Sequence, residues 1–412
     1  MLLKLEKMVH GGNVLARLAE GRLALVRGGL PGERVKATLK ERSGVLQGVV
    51  EEVIDASPHR APAHAHPGLD YSHMTYAHQL ELKRGVVKDA LERSLKRTVS
   101  VPPVIAAPAP WGYRHAVQPA VSRTTGGASL GYRVPETHDL IPLQSDPTAR
   151  DGINRVWNLF QVESPPKGVR EVAFRSNDAG EVLLCLIASA SARNYLDFAH
   201  NLVGQGVAGV AYASFDPRGR FRGGSERLAG ARSLRQRYGD FELTVSATSF
   251  AQPNPAAASR LYAELARWAG AGETALDLYA GGGIIGFHLS HTFRHVIALE
   301  LDRSSVIRGE RDAAQLGLDN VAFVHADARK ADALPDADLI TVDPPRAGLA
   351  KEARRAVTAS SAKSLIYVSC DVATWSRDVA EFEGMGWTLE RLEPFDFYPQ
   401  THHIEMLSLL TR

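Results

Sequence analysis

The first 55 residues alternate apolar and polar positions in short runs: LLKLEKMV, NVLARLAE, GRLALVRGGLPGERVKATLK and GVLQGVVEEVID, with glycine-containing turns between them. Period-two alternation broken by Gly and Pro predicts the short strands of a small β-barrel. A loop with Pro and His, SPHRAPAHAHPG, comes next. Over residues 75–97 the Leu and Val spacing changes to that of a helix, with several basic residues on it. Residues 100–250 read as a mixed unit, with plausible strands at WGYRHAVQPAVSR and GEVLLCLIA.

From residue 257 the pattern becomes alternating helix and strand. A helix is predicted over about 257–270, followed by strands TALDLYA, HVIALEL, NVAFVHAD, ADLITVDPP and SLIYVSC, with helical patterns between most of them. That alternation predicts a doubly wound parallel sheet. The last two segments, WTLERLEPFDFYP and HHIEMLSLLTR, are separated by a short turn and predict a hairpin. A parallel sheet closed by one antiparallel strand resembles the fold of S-adenosylmethionine-dependent methyltransferases. The fold expected is therefore α/β: a Rossmann-like domain at 251–412, preceded by a barrel at 1–55 and a mixed α+β central domain at 56–250.

At 412 residues the chain is long enough for two or three domains. Its 44% hydrophobic and 23% charged residues are ordinary for a globular protein. Two cysteines, Cys185 and Cys370, exclude a disulfide framework. The start, MLLKLEKMVHGG, lacks the apolar core of a signal peptide. No run approaches the roughly 20 apolar residues of a membrane span. A soluble cytoplasmic protein without a membrane partner is expected. The net charge of +2 divides unevenly: residues 1–271 hold 34 Lys/Arg against 25 Asp/Glu, and residues 272–412 hold 14 against 21. A basic front half suits a polyanionic partner, but uneven surface charge without function gives the same count. The stretch DPRGRFRGGSERLAGARSLRQR, with seven Arg against two acids, is open to the same two readings.

The segment LDLYAGGGIIGFHL runs from a strand through Gly281, Gly282 and Gly283 into a helix. Glycines there let a backbone approach a ligand closely. Glu300 ends the next strand, where a carboxylate can hold both hydroxyls of a ribose. Asp327 ends the third, where an acid can accept from an adenine amino group. Nicotinamide enzymes share glycine turns, but this one lacks their strict GxGxxG order.

Three chemically able residues fall on one edge of the predicted sheet. Asp343 ends the fourth strand in VDPPR, and Cys370 ends the fifth in YVSC. Glu405 begins the last strand, which runs antiparallel, so its start shares the edge where the other strands finish. Ligands in open α/β sheets bind at that edge. A lone cysteine at a strand end is most simply a small buried apolar residue. Cys185, inside VLLCLIA, is that case. The two acids converging on Cys370 set it apart.

With SFAQPNP at 249–255, LDLYAGGG at 276–283, VDPPRAG at 342–348, YVSCD at 367–371 and HHIEMLSLL at 402–410, the chain closely resembles the RNA 5-methyluridine methyltransferase family over essentially its whole length. Residues 1–55, with HGGNVLARLAEGRLALVRGGLPGERV, look like the TRAM domain, a small RNA-binding barrel. The resemblance implies S-adenosylmethionine as methyl donor, RNA as partner, and a monomer. It implies that Gln252 and Tyr279 touch the donor, along with Gly281, Gly283, Glu300, Asp327 and Asp343. Phe250 would lie near the target base, with Asp343 on the uracil edge and Arg346 steadying the site. Cys370 would be the nucleophile and Glu405 the base. The chemistry suits these residue types. A thiolate adding to uracil carbon 6 makes carbon 5 enolate-like and able to attack a methyl group. A carboxylate can then remove the carbon-5 proton. A stacked base would hide carbon 6, so the uridine must flip out.

The chain also departs from its relatives. Many carry a Cys-rich motif after the TRAM domain that binds an iron–sulfur cluster. Here HPGLDYSHMTYAHQL stands in that place, with His66 and Leu69 about where cysteines would be, so no such cluster is expected. His64, His66, His73 and His78 invite a zinc reading, but no regular ligand spacing supports one and no metal is expected. Ala280 replaces a Cys common in the glycine turn. Asp371 stands where Asn is common, and its charge is expected to raise the thiol pKa modestly. The TRAM resemblance favours 23S ribosomal RNA as substrate, with tRNA the alternative. A small-molecule methyltransferase would need neither the basic front half nor the Cys–Glu pair. A non-catalytic RNA-binding or folding factor would not need Cys370 and Glu405.

Overall fold

The structure is a computed structural model. It describes residues 1–124, 127–134, 137, 139–217, 221, 224–330 and 334–412. Part of the arginine-rich stretch, including Arg218, Arg220 and Arg222, lies outside the described residues. The chain gathers into two compact units, one of residues 1–64, 69–107 and 260–412, the other of residues 65–68 and 108–259.

In the first unit, strands Leu2–Val9, Asn13–Arg17, Leu23–Arg27, Arg34–Arg42 and Val45–Asp55 close into a barrel, the fifth strand lying between the third and fourth. Alternation builds it: Leu3, Leu5, Val14, Ala16, Ala24, Val26, Val35 and Ala37 turn inward and are buried, while the polar positions between them face out. Helix Tyr76–Leu95 buries Gln79, Lys83, Val86, Val87, Ala90 and Leu91, a stripe at three- and four-residue spacing. It packs on helix Val372–Gly384.

The sheet of this unit runs in the order Val321–His325, Phe293–Glu300, Gly272–Leu278, Leu339–Val342, Ser364–Ser369, Glu405–Thr411, Thr388–Phe395. Neighbours pair in parallel except around Glu405–Thr411, which is antiparallel to both of its partners. The expected final hairpin is present, with its second arm inserted inside the sheet and its first at the edge. Leu276, Ile340, Val342, Leu365, Tyr367, Met406 and Leu410 are fully buried in this core, beside Trp375 and Phe382 of the covering helix. Two buried polar pairs sit in it: Trp375 Nε1 donates to Ser408 Oγ at 3.0 Å, and Thr341 Oγ1 donates to Asp277 at 2.7 Å.

The second unit holds a mixed sheet ordered Glu226–Gly230, Gly209–Ser214, Val182–Ala188, Val169–Ser176, Ala120–Thr124, Gly127–Arg133, Leu140–Pro142. Helices Asp151–Val162 and Leu196–Gly204 cover a core containing Trp157, Phe160, Phe174 and Leu184. Cys185 is wholly buried here and its thiol is pushed up to about 12 by burial, as suits an unreactive core residue. Among the described residues, no helix is long and apolar enough to cross a membrane.

Candidate active site at the carboxyl edge of the sheet

The glycine turn leaves strand Gly272–Leu278 through backbone that few side chains tolerate. Tyr279 has φ 62°, Gly281 φ 56° and Gly283 φ 86°. At Gly283 the need for glycine is double, because a Cβ would also stand 2.4 Å from the Phe323 ring. Gly283 opens helix Ile284–Leu289, whose first amides point toward the turn. The Glu300 carboxylate accepts from the Gly281 N–H at 2.8 Å and the Asp302 N–H at 2.6 Å, tying the second strand's end to the turn. Asp327 is gripped by the Arg329 guanidinium in two bonds of 2.9 Å and by the Arg329 N–H at 3.0 Å. Those bonds hold its carboxyl down at about 2. Arg329 escaped the sequence reading, because nothing in its spacing marks a carboxylate clamp.

Cys370 and Glu405 meet by register. Ser369 pairs with Met406 on the antiparallel strand, so the next two residues, Cys370 and Glu405, face each other just beyond the ladder. Val342 pairs with Tyr367 on the other side, which brings Asp343 to the same edge. Glu405 is 2% exposed, and Cys370 and Asp343 are half-buried. Burial, then the charges of Glu405 and Asp343, push the Cys370 thiol up to about 11; Arg346 opposes this through its charge and a hydrogen bond. Burial first, and Asp343 second, hold the Glu405 carboxyl well above the usual carboxylate range. Asp343 is raised to about 7 by burial and by Asp277. Acid, thiol and acid thus share one small volume beside a single guanidinium. Such crowding retains protons in the resting site and makes Glu405 a strong base once it is ionised.

Asp371 behaves otherwise than its sequence position suggested. Its carboxylate caps helix Val372–Gly384 by accepting from the Thr374 N–H at 2.9 Å, and stands 3.4 Å from Nε2 of His10 in the barrel. Burial works to raise its pKa, but the bonds from His10 and Thr374 prevail and hold it well below the usual range. The groups that push the thiol up are burial, Glu405 and Asp343.

Residues 402–403 belong to the same neighbourhood. Arg346 Nη2 lies 3.4 and 3.5 Å from the two ring nitrogens of His403. Burial, His402 and Arg346 push that ring down to about 3. The His402 ring lies 4.1 Å from that of His403, tilted by 44°, and is held by Asp70. His10, Asp70, His402 and His403 were missed as site residues. The only signal was the pair of histidines before Glu405 in HHIEM.

Phe250 and Gln252 fall in the second unit. There Phe250 is 79% exposed, and the Gln252 carbonyl accepts from the Tyr238 hydroxyl at 3.1 Å. The histidines that invited a zinc reading have other partners. His66 lies 3.7 Å from Asp146, His73 bonds the Gly29 carbonyl at 3.3 Å, and His78 stacks on His59 at 4.1 Å and bonds Glu81. Among the described residues no group of three or more His, Cys, Asp or Glu is placed to hold a metal ion.

The family model described as tRNA (uracil-5-)-methyltransferase matches residues 232–412, which contain the glycine turn, Cys370 and Glu405. An uncharacterized RNA methyltransferase of Gloeobacter violaceus is 30% identical over 442 residues, covering 98% of this chain and 95% of its own length. Another, from Halalkalibacterium halodurans, is 28% identical over 440 residues with the same coverage of 98% and 95%. Among solved structures, the Pyrococcus abyssi tRNA (uracil-54, C5)-methyltransferase in complex with S-adenosyl-L-homocysteine covers 100% of both chains with a TM-score of 0.79 at 22% identity, a likeness of fold. On the similarity to the Gloeobacter relative the chain belongs to the RNA methyltransferases, with residues 232–412 matching the tRNA (uracil-5-)-methyltransferase family model.

Proposed function

We propose that the chain methylates carbon 5 of a uridine in RNA through a covalent bond between Cys370 and carbon 6 of the base. The observation that carries this reading is the juxtaposition of Cys370 and Glu405 across the end of one strand pair, with Asp343 and Arg346 beside them.

The glycine turn fits S-adenosylmethionine: Gly283 leaves no room for a Cβ, and Glu300, Asp327 and Asp343 end the neighbouring strands. Tyr279, Gly281, Gly283, Glu300, Asp327 and Asp343 would hold it, with Gln252. When bound it supplies an electrophilic methyl group. Arg346, whose charge favours the ionised sulfur, stabilises the thiolate against the surrounding acids. The thiolate adds to carbon 6 and electron density gathers at carbon 5, where the new carbon–carbon bond would form as the methyl group's bond to the donor sulfur breaks and leaves its electron pair on that sulfur. Asp343 orients the uracil edge. Glu405 then takes the carbon-5 proton, the carbon 5–carbon 6 double bond re-forms, and the sulfur leaves carbon 6 with its electron pair.

The barrel, residues 1–55, is read as a TRAM domain that binds RNA. Residues 56–250 are read as a second RNA-binding region and residues 251–412 as the catalytic domain. Phe250, an exposed aromatic, suits stacking on an unpaired base. The TRAM-like barrel supports 23S ribosomal RNA as substrate. The fold likeness to a tRNA methyltransferase over the whole chain, barrel included, supports tRNA as a second reading. Mapping 5-methyluridine in both RNAs from cells with and without the gene decides between them. The account expects one or more ribosomal sites to lose the methyl group, and loss confined to tRNA would transfer the assignment.

A further inference from the structure

Glu405 is the first residue of its strand, so its placement depends on residues 396–404, the loop that enters the strand. Four residues of a segment more than 300 positions earlier in the chain make polar contacts with that loop. Lys83 Nζ donates to Asp396 Oδ1 at 2.7 Å and to the Tyr398 carbonyl at 3.3 Å. Gln79 makes a reciprocal pair with Gln400: its Nε2 donates to Gln400 Oε1 at 2.8 Å, and its Oε1 accepts from the Gln400 N–H at 2.9 Å. Asp70 accepts from the His402 N–H at 3.0 Å and bonds the His402 ring through its second oxygen. The Tyr71 N–H adds a bond to the Gln400 carbonyl at 3.0 Å.

These contacts are costly ones to build. Lys83, Asp396 and Gln79 are fully buried, and Gln400 is 3% exposed. A buried ion pair contributes little net stability compared with apolar residues of the same volume. What it and the reciprocal amide pair supply is a defined geometry, since Lys83 and Gln79 each bond more than one group and so fix the loop at several points. Gln400 needs such restraint, because it sits at φ 69°. The restrained feature ends at Glu405, two residues beyond His403. A base must come within hydrogen-bond reach of its proton, and a misplacement of about 1 Å can cost a factor of about 100.

We propose that Asp70, Gln79 and Lys83 are positioning residues that set the Glu405 carboxylate for the proton-removal step. They occupy the stretch HPGLDYSHMTYAHQL and the helix that begins within it. This inference rests on the reading of Glu405 as the base. It assigns the three residues to the step after methyl transfer rather than to donor binding or nucleophilic attack.

Ribosomal and transfer RNA from cells lacking the gene are incubated with S-adenosylmethionine carrying a labelled methyl group and with the full-length protein. Labelled protein–RNA adduct is read on a denaturing gel beside turnover. Glu405→Gln is the control that tests the base itself. Gln79→Leu and the milder, solvent-facing Asp70→Asn are the test variants, the second chosen because it leaves the fully buried contacts intact. Turnover is expected to fall at least tenfold in Gln79→Leu and severalfold in Asp70→Asn, with methylated adduct accumulating in both and donor affinity within twofold of the parent. Asp70→Glu, which retains the carboxylate, should restore part of the turnover and lower the adduct. Adduct in Glu405→Gln with none in either test variant, or unchanged turnover in Asp70→Asn and Gln79→Leu, overturns the positioning role alone. Absence of adduct from Glu405→Gln overturns the base assignment and this inference with it.

Discussion

Nε2 of His10, in the first turn of the barrel, stands 3.4 Å from the carboxylate of Asp371, the residue that follows Cys370. A side chain of the N-terminal barrel thereby touches the turn that carries Cys370. Asp371 also caps helix Val372–Gly384, so one carboxylate joins barrel, turn and helix.

The Asp371→Ala variant should lose about 1 kcal/mol at neutral pH, the usual scale for a helix cap. The sign follows from its depressed pKa. The contribution is fully present above the ordinary carboxylate pKa of about 4 and is lost as pH falls through the lower folded value. Thermal melts of variant and parent should differ at pH 7 and converge toward pH 2. A difference that grows in acid contradicts the carboxylate cap.

Reactivity of the thiol should follow its surroundings. Alkylation of Cys370 by iodoacetamide in the free protein should be slow at pH 7 and rise with pH toward a midpoint near 11, because burial and two acids disfavour the thiolate. Glu405→Gln removes one of those charges and should lower the midpoint. Arg346→Met removes the stabilising cation and should raise it. Buried Cys185 should stay unmodified in the native protein. A midpoint at or below 8.5, the ordinary cysteine value, shows that the electrostatics are misjudged.

Two adjacent glycines should behave differently. Gly283→Ala meets both a φ of 86° and the Phe323 ring, so it should destabilise the protein by at least about 1 kcal/mol and abolish donor binding. At Gly282 the nearest atom to an added Cβ is Arg308 Nε at 4.0 Å, with no positive φ, so Gly282→Ala should keep a folded, stable protein. Melting temperature and calorimetric titration with S-adenosylmethionine distinguish them. Equal loss of stability in both variants counts against the geometry of the turn.

The barrel's RNA role is best tested by substitution. Its core is continuous with Tyr71, Met74, Val86 and Val87 of the following segment, so removing residues 1–55 would strip that core as well. Lys4, Lys36 and Lys40 are exposed on the barrel. Changing all three to Glu should weaken RNA binding and flatten its salt dependence by about 0.7 log units per lost phosphate contact on single strands. Donor binding should not change. Unaltered affinity and salt slope would remove the barrel from the RNA-binding surface.

What the sequence made legible is what periodicity and topology encode. The parallel strands follow from apolar runs, and the meeting of Cys370 with Glu405 follows from one strand running against its neighbours. The glycine turn is legible because φ near 60–90° and the Phe323 contact admit little else. The last strand begins at Glu405, as read, and His402 just before it is held by two bonds to Asp70 of the earlier segment rather than by the ladder. Those bonds, like His10 with Asp371, join residues hundreds of positions apart, and no local pattern announces a polar pair of that kind. The charge of Asp371 was visible, but the imidazole and helix amide that engage it were not.

The covalent route is tested most directly by stalling it. Elimination from carbon 6 requires the carbon-5 proton to leave first, and Glu405, 2% exposed and opposite Cys370, is the group assigned to take it. Glu405→Gln keeps the side chain's size and removes its basicity. Incubated with RNA and methyl-labelled S-adenosylmethionine, this variant is predicted to accumulate a protein–RNA adduct that survives denaturing electrophoresis and carries the label. Cys370→Ala added to it should abolish the adduct. Normal turnover by Glu405→Gln without any adduct, or a labelled adduct that persists when Cys370 is replaced, would contradict the mechanism.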